Sequence, residues 1–510
     1  MLMIKSRLLL PADRIVSALS DPARRERAVL VVLAGYVAVW TLYGVLAKAS
    51  QDIHFDMAEL VAWAHEPAFG YSKHPPLAAW LVRGWFTLFP QTDWAYYLLA
   101  IATVAVALWI AWRLFAHYFD GEKRVVALAM LTLIPFFNFH ALKFNPNTVL
   151  IPLWAATTLW FVRSYESRNA FYAALAGIGA AACMLGKYWS IVLLLGLALA
   201  ALIDRRRGIY FRSPAPWITI AVGALALAPH IVWLVANDFL PFSYAMAAHG
   251  AGTLTSVAIR SGGYLAGGAA YVAVPILLMF AVVRPSSAAL ADARSPADPQ
   301  RQLAMWAFWL PLVLPAVLAP LFGIEINSLW TMSAWTLLPV VMLSSPLIAV
   351  TRLAAVRIVA IAFAIPFLFL AASPLVAAAI QRAGVQPTAA HSKMLAEQVA
   401  REWQAVTDQP LRFVGGEAAL SYGVAFYLIQ RPSVFPDLNP RIAPWIEPQE
   451  LARAGIALVC AADDRNCVPG VEARAGSAGR RTEVALTRSY LGIAGEPARY
   501  LIVIVPPGQH

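Results

Sequence analysis

Between residues 28 and 376 the chain is a succession of apolar runs. Each is about as long as a helix needs to cross a bilayer's hydrocarbon core, roughly 20 residues. No other feature limits the fold as strongly, because a backbone in lipid must satisfy its own amide groups. Eleven spans are expected, at about 28–48, 93–116, 124–141, 147–164, 169–186, 188–204, 215–236, 263–283, 302–322, 329–349 and 353–376. The apolar segment 76–90 is short and bounded by proline, and reads as a juxtamembrane helix on the outer side. Composition agrees, with 60% hydrophobic and 13% charged residues, against about 25% charged in a soluble domain.

The formal net charge is +11. In a soluble protein that would suggest nucleic acid. Here Lys and Arg gather in alternate short loops, so the positive-inside rule explains the charge and no nucleic-acid partner is expected. One set of loops holds Arg24, Arg25 and Arg27, Arg205, Arg206, Arg207 and Arg212, and Arg352 and Arg357, among others. The alternate set holds mainly Lys73, Arg83, Lys143, Lys187 and Arg260. The first set is read as cytoplasmic, which with eleven spans leaves the tail outside. Residues 1–27 lack a signal-peptide layout and read as a cytoplasmic amphipathic segment.

Residues 28–380 form the expected transmembrane domain, with an outer loop at 49–92, and 386–510 form a second domain. In the latter, polar residues return and short β-like runs appear: "LRFVGG", "GIALVCAA", "RTEVALT" and "RYLIVIVPP", with a helix-like "AALSYGVAFYLIQ" between the first two. The expected fold is therefore an all-α polytopic membrane protein with a small C-terminal α/β periplasmic domain. Cys183 lies in an apolar run and reads as packing. Cys460 and Cys467 can pair as a disulfide if the tail is extracytoplasmic.

The first outer loop concentrates the ionisable residues. "DMAELVAWAHEPAFGYSKHPPLAAW" runs from Asp56 to Trp80, just after Asp52 and His54. A solvated loop is one reading. Its aromatics, and the pair Pro75-Pro76 that fixes how Lys73 and His74 are presented, favour a packed site instead. A carboxylate followed by rigidly held cations suits chemistry on a phosphorylated substrate, with the acid as base and the cations on phosphate.

This segment resembles the first-loop signature of bacterial family-39-type glycosyltransferases. These are GT-C enzymes related to protein O-mannosyltransferases and to the lipid A aminoarabinose transferase. Trp63, Gly70, Tyr71, His74, Pro75 and Pro76 fall at matching places, and Asp56 matches the family's catalytic aspartate. "LKFNPNTVLIPLWAATTLWF", "MLGKYWSIVLLL", "APHIVWLVANDFLPF" and, more loosely, "EINSLWTMSAW" resemble later family segments. They place Asn147, Lys187 with Tyr188, Asn237, and Trp330. The resemblance covers roughly residues 28–350.

It implies a sugar donor carried on a polyprenyl phosphate, and inverting transfer at the periplasmic face of a bacterial inner membrane. The acceptor hydroxyl would belong to a glycolipid such as lipid A, a polysaccharide or a protein. Asp56 would be the base. Lys73, His74, Lys187 and Tyr188 would hold the donor phosphate. Trp63, Tyr71, Asn147, Asn237 and Trp330 would contact substrate.

Two departures stand out. The family commonly has Glu after the catalytic Asp and Asp in the second outer loop; this chain has Met57 and Asn147. Losing both acids weakens the case for a divalent metal, and no cofactor is firmly implied. Glu59, one helical turn beyond Asp56, can share its face and is counted with it as a candidate. The departures leave open a non-catalytic glycolipid-binding or assembly protein on the same scaffold. A membrane transporter is the third reading, and the paired broken spans it would require are not evident. Lys187 also has a plain alternative, snorkelling from a helix end; His230 and Trp233 read as packing.

Overall fold

The structure, a computed structural model, describes residues 2–250 and 252–508, with side chains from residue 10 onward. It divides into two compact units. The first comprises residues 1–40, 73–77 and 98–368; the second comprises 41–72, 78–97 and 369–510.

The first unit is helical. Six helices of the described chain are long and apolar enough to cross a membrane: Arg25–Ala47, Asp93–Phe115, Ala215–Ala236, Leu254–Val283, Pro299–Phe322 and Arg352–Ala383. Gly121–Thr132 and Pro135–Leu142 make a seventh if counted together across their 79° bend. Of the eleven expected spans, the one at 329–349 is not a single helix. Asn327 caps a 3-10 turn, Ser328–Thr331, which is followed by a second, Ala334–Leu337, and by the short helix Leu338–Leu343. Other expected spans are helices with polar starts. Asn145 accepts from the amides of Asn147 and Thr148 and so starts Pro146–Ser167, with Pro146 in the first turn where no donor is missed. Asn169 caps Ala170–Gly186 in the same way.

Small residues set how closely these helices approach, as expected where lipid supplies no hydrophobic drive between them. A Cβ on Gly177 would meet the Thr219 carbonyl of helix Ala215–Ala236 at 2.5 Å. One on Gly196 would meet the Pro311 ring at 2.5 Å.

The second unit is built on a five-stranded sheet of order β2-β1-β3-β7-β4. Its strands are β1 (Phe413–Gly416), β2 (Ser433–Pro436), β3 (Ile456–Ala461), β4 (Arg480–Leu486) and β7 (Ala498–Val505). A separate hairpin pairs β5 (Ser489–Tyr490) with β6 (Ile493–Ala494). β1 runs parallel to β2 and β3, and β7 antiparallel to β3 and β4. Helices cover both faces. Leu395, Val399, Leu420 and Val424 pack on Val414, Val459 and Ile502; Leu451 and Val471 pack on Phe413, Leu458 and Val503. The four β-like runs are β1, β3, β4 and β7, and the helix-like run is Ala418–Tyr427. Cys460 and Cys467 form a disulfide across seven positions. Gly416 ends β1 at φ 106°, where a Cβ would fall 2.2 Å from the Val459 carbonyl, so the turn into the next helix requires glycine.

Apart from residues 73–77, the first loop belongs to this unit, and its charges are not a solvated surplus. Asp52 is 4% exposed. Its carboxylate pairs with the Arg488 guanidinium and accepts from the Lys393 amide at 3.0 Å, while its own amide donates to Ala389 at 2.8 Å. Tyr427 donates to Asp93 at 2.9 Å and accepts from the Ile53 amide at 3.0 Å. Ser433 bonds the Glu66 carboxylate. Asp52, outside the matched segment, thus has a structural role: it ties the loop to the helix Ser392–Gln404 and to Arg488 just after β4.

Two predictions follow this wiring. Arg488→Met strands the buried Asp52 carboxylate, which should cost about 3–5 kcal/mol and lower the unfolding temperature in detergent. His391, buried and sharing a 2.9 Å bond with Tyr500, is held below the ordinary imidazole range by burial and then by the Arg488 charge, with Asp52 opposing. The folded state therefore takes up this proton less readily than the unfolded chain. Stability should be complete above about pH 6.5 and fall as pH drops toward the folded value. His391→Gln should flatten that slope in thermal melts between neutral and mildly acidic buffer.

Candidate functional site

In the second unit, the helix Phe55–His65 carries both candidate acids. His54 is its N-cap and accepts from the Asp56 amide through Nδ1 at 3.1 Å. The same nitrogen lies 3.7 Å from the Asp56 carboxylate, which is half-buried. Asp56 sits in the first turn, where the helix dipole favours a carboxylate. Glu59, one turn on, is buried at 4% exposure beside Tyr422, whose hydroxyl it pushes further from ionisation after burial itself. Glu59 therefore faces the packed side of the helix, and Asp56 the more open one. Met57 is buried, and its carbonyl accepts from Tyr96 at 2.9 Å.

Trp63 and Tyr71, expected to contact substrate, are turned inward. Their rings stack at 4.9 Å and 5°. The Tyr71 hydroxyl donates to the carbonyl of Trp63 at 2.8 Å, or alternatively of Glu66 at 2.9 Å. Burial pushes that phenol up to about 12. The two rings fold the loop back on itself, which accounts for the aromatics that sequence pattern singles out.

In the first unit, the chain breaks at Lys187. Ala170–Gly186 ends there, Lys187 is extended at φ −166°, and a 3-10 turn, Tyr188–Ser190, leads into Ile191–Ile203. Trp154 holds the break by donating to Ser190 at 3.1 Å. The extended residue throws its side chain sideways. The Lys187 ammonium donates to Asn147 Oδ1 at 2.7 Å and lies 4.9 Å from the Trp330 ring centre. Trp189 donates to the Trp330 carbonyl at 3.0 Å and packs on its ring at 4.7 Å. Lys187, Asn147 and Trp330, three separate sequence candidates, are thus one cluster. The ammonium is thus held against an aromatic face with an amide oxygen beside it.

Other candidates in this unit stand apart. Tyr188 shares a 3.0 Å hydrogen bond with His230 and packs on Phe242, so its hydroxyl serves the helix interior rather than Lys187. Asn237 donates to the Trp233 carbonyl at 2.8 Å and closes the end of Ala215–Ala236. Lys73 lies 5.6 Å from the Tyr244 ring centre. His74 is half-buried beside it in the chain.

Two residues that sequence pattern passed over line the same cluster. His249 meets the Trp330 ring edge-on at 5.0 Å, and its carbonyl accepts from the Glu325 amide at 2.9 Å. Burial first, then the Lys187 charge, holds His249 below the usual imidazole range, with Glu325 opposing. Glu325 in turn accepts from Ser256 at 3.0 Å and lies 3.6 Å from Arg260. Only the placement of Arg260 in a cation-poor loop set hinted at this group. Among the described residues, no three His, Cys, Asp or Glu side chains come together as a metal cage would need. Two apolar cavities of about 310 and 340 Å³ open between helices of this unit. The first is lined by Leu19, Tyr36, Val125 and Phe363, the second by Phe161, Met184, Leu197 and Leu227. Neither is lined by the Lys187 cluster.

Residues 73–233 match the family described as dolichyl-phosphate-mannose-protein mannosyltransferase. Among curated proteins, the lipopolysaccharide core galacturonosyltransferase RgtB of Rhizobium johnstonii is 28% identical over 229 residues, 43% of this chain and 45% of that protein. The lipid A galacturonosyltransferase RgtD of the same organism is 23% identical over 214 residues, 42% of this chain and 44% of that protein. The matched region thus takes in less than half the length of either relative. Among solved structures, ArnT from Cupriavidus metallidurans bound to undecaprenyl phosphate shares the fold with a TM-score of 0.63 at 12% identity, over 93% of this chain and 97% of that one. Its apo state gives 0.61 at 11% identity. The chain is thus a multi-span membrane protein that has the fold of ArnT and that, over residues 73–233, is similar to the protein-mannosyltransferase family.

Proposed function

We propose that the protein is an inverting glycosyltransferase that moves a sugar from a polyprenyl-phosphate carrier to a hydroxyl of a lipid A or core glycolipid. The observation that carries this reading is the Lys187 cluster: an ammonium at a helix break, set between Asn147 and the Trp330 face. Such a group suits the phosphate of a lipid-linked donor, where negative charge grows as the leaving group departs. The likeness to an ArnT that binds undecaprenyl phosphate supports the carrier, and the two galacturonosyltransferases support the acceptor class. They also favour a uronic acid as the sugar. Asn147 is consistent with an acidic sugar, since a carboxylate there would repel it.

Asp56 takes the acceptor proton. The acceptor oxygen bonds to the anomeric carbon while the carbon–oxygen bond to phosphate breaks, and polyprenyl phosphate leaves with the electron pair. A single displacement inverts the centre. Phosphate is a good leaving group, so positioning and charge stabilisation account for most of the catalysis. No step is assigned to a metal. The disulfide supports an oxidising compartment for the tail, hence the periplasmic face of a bacterial inner membrane.

With a radiolabelled polyprenyl-phosphate sugar in proteoliposomes, Asp56→Asn should lower transfer by about 10²–10⁴-fold; a correctly inserted variant working at the wild-type rate would refute the base. Lys187→Ala should cost about 10²-fold in kcat/KM, with Lys187→Arg restoring part of it. Asn147→Asp should slow transfer of an acidic sugar more than of a neutral one, and equal slowing would argue against the uronic acid. Inactivity of the wild type toward every lipid-linked donor would favour the non-catalytic binding protein that Met57 and Asn147 keep in play.

A further inference from the structure

The β5–β6 hairpin turns on Leu491 and Gly492, with φ of 49° and 78°. Tyr490 pairs with Ile493, so the loop has two residues, and positive φ at both is the type I′ form. That turn ordinarily takes Asn, Asp or Gly at its first position. Leu491 is a poor fit to left-handed backbone, and it is also 72% exposed. Neither turn stability nor solubility accounts for it. A strained residue of this kind is reason to look for a role.

The hairpin's attachment supplies one. Gln381 lies in the last turn of the membrane helix Arg352–Ala383. Its Nε2 donates to the carbonyls of Arg488 at 3.0 Å and Ile493 at 3.3 Å, one on each side of the tip. Gly495 lies so close that a Cβ there would meet the same nitrogen at 2.8 Å. The hairpin base is therefore clamped to the end of a membrane span. Counted from Arg357 at 1.5 Å per residue, about 20 residues cross the hydrocarbon core. Gln381 lies 24 residues on, about 6 Å past the core on this count. Leu491 is two residues from Ile493, at most about 7 Å further. A hairpin that leans toward the span brings its tip to the membrane boundary. Arg382, exposed beside Gln381, is a cation suited to that depth.

We propose that the Tyr490–Leu491 tip is a membrane-interface anchor. Leu491 enters the boundary between headgroups and acyl chains, and Tyr490 lies at headgroup level with its hydroxyl toward water. The partner is the lipid surface itself. This follows from the span and the turn and does not depend on the chemistry proposed above.

The test places an environment-sensitive nitrobenzoxadiazole label on Leu491→Cys in the full chain. Cys183→Ala serves as background, with Cys460 and Cys467 left paired. The protein is reconstituted in phosphatidylcholine liposomes with or without brominated acyl chains. Quenching by the brominated lipid should be about twofold or more stronger than for the same label on Glu472→Cys, an exposed site on another helix. Equal quenching at the two sites overturns the anchor. So does self-quenching at position 491 that vanishes on dilution with unlabelled protein, since the tip would then meet a second copy.

Discussion

Lipid gives the main chain no partner but itself, and that requirement shapes this molecule. Wherever the chain crosses the bilayer it is helix, and wherever helix stops, another group must take over the exposed amides and carbonyls. Asn145 does so before Pro146–Ser167, Asn169 before Ala170–Gly186, and Asn327 before the turns at 328–337. At Lys187 the chain leaves helical geometry for one residue and re-enters through a short 3-10 turn that Trp154 fastens. A break in a membrane protein persists only where it is buried or lines a cavity. The Lys187, Asn147 and Trp330 cluster falls at that point.

The cluster at the break shows how little is needed to hold a usable cation. Lys187 is aimed by an extended backbone, steadied by an amide oxygen, and backed by an indole whose own carbonyl is fixed by Trp189. In the second unit, carboxylates make the ties. Asp52 and Glu66 are spent on Arg488 and Ser433 to bind the loop to the C-terminal domain. Asp56, at a helix start beside His54, keeps a more open carboxylate. Acids of one short segment thus serve different ends according to the face they occupy.

Much of this was legible in the residues. Apolar run length located most helices, and β-branched runs located β1, β3, β4 and β7. β2 escaped because "SVFP" is four residues closed by proline, and β5 and β6 because two residues carry no period. The broken stretch 328–337 escaped because its Trp, Met and Leu keep the run apolar while the Thr331 hydroxyl bonds within the turns, donating to the Ser328 carbonyl and accepting from Trp335. Asn147, Lys187 and Trp330 were each conspicuous, yet nothing local says that they meet. Trp63 and Tyr71 were conspicuous for a different reason: they stack on each other. His249 and Glu325 looked like ordinary loop residues, and only three-dimensional packing links them to the indole.

The tie between Asp52 and Arg488 spans 436 positions of sequence. The first loop is made early and its partner almost last. At synthesis rates of about 5–20 residues per second, the loop waits tens of seconds with a carboxylate committed to a guanidinium that does not yet exist. Contacts of this range form late and slowly. The Arg488 segment therefore docks late relative to the first loop, and its arrival supplies the partner that the buried Asp52 needs.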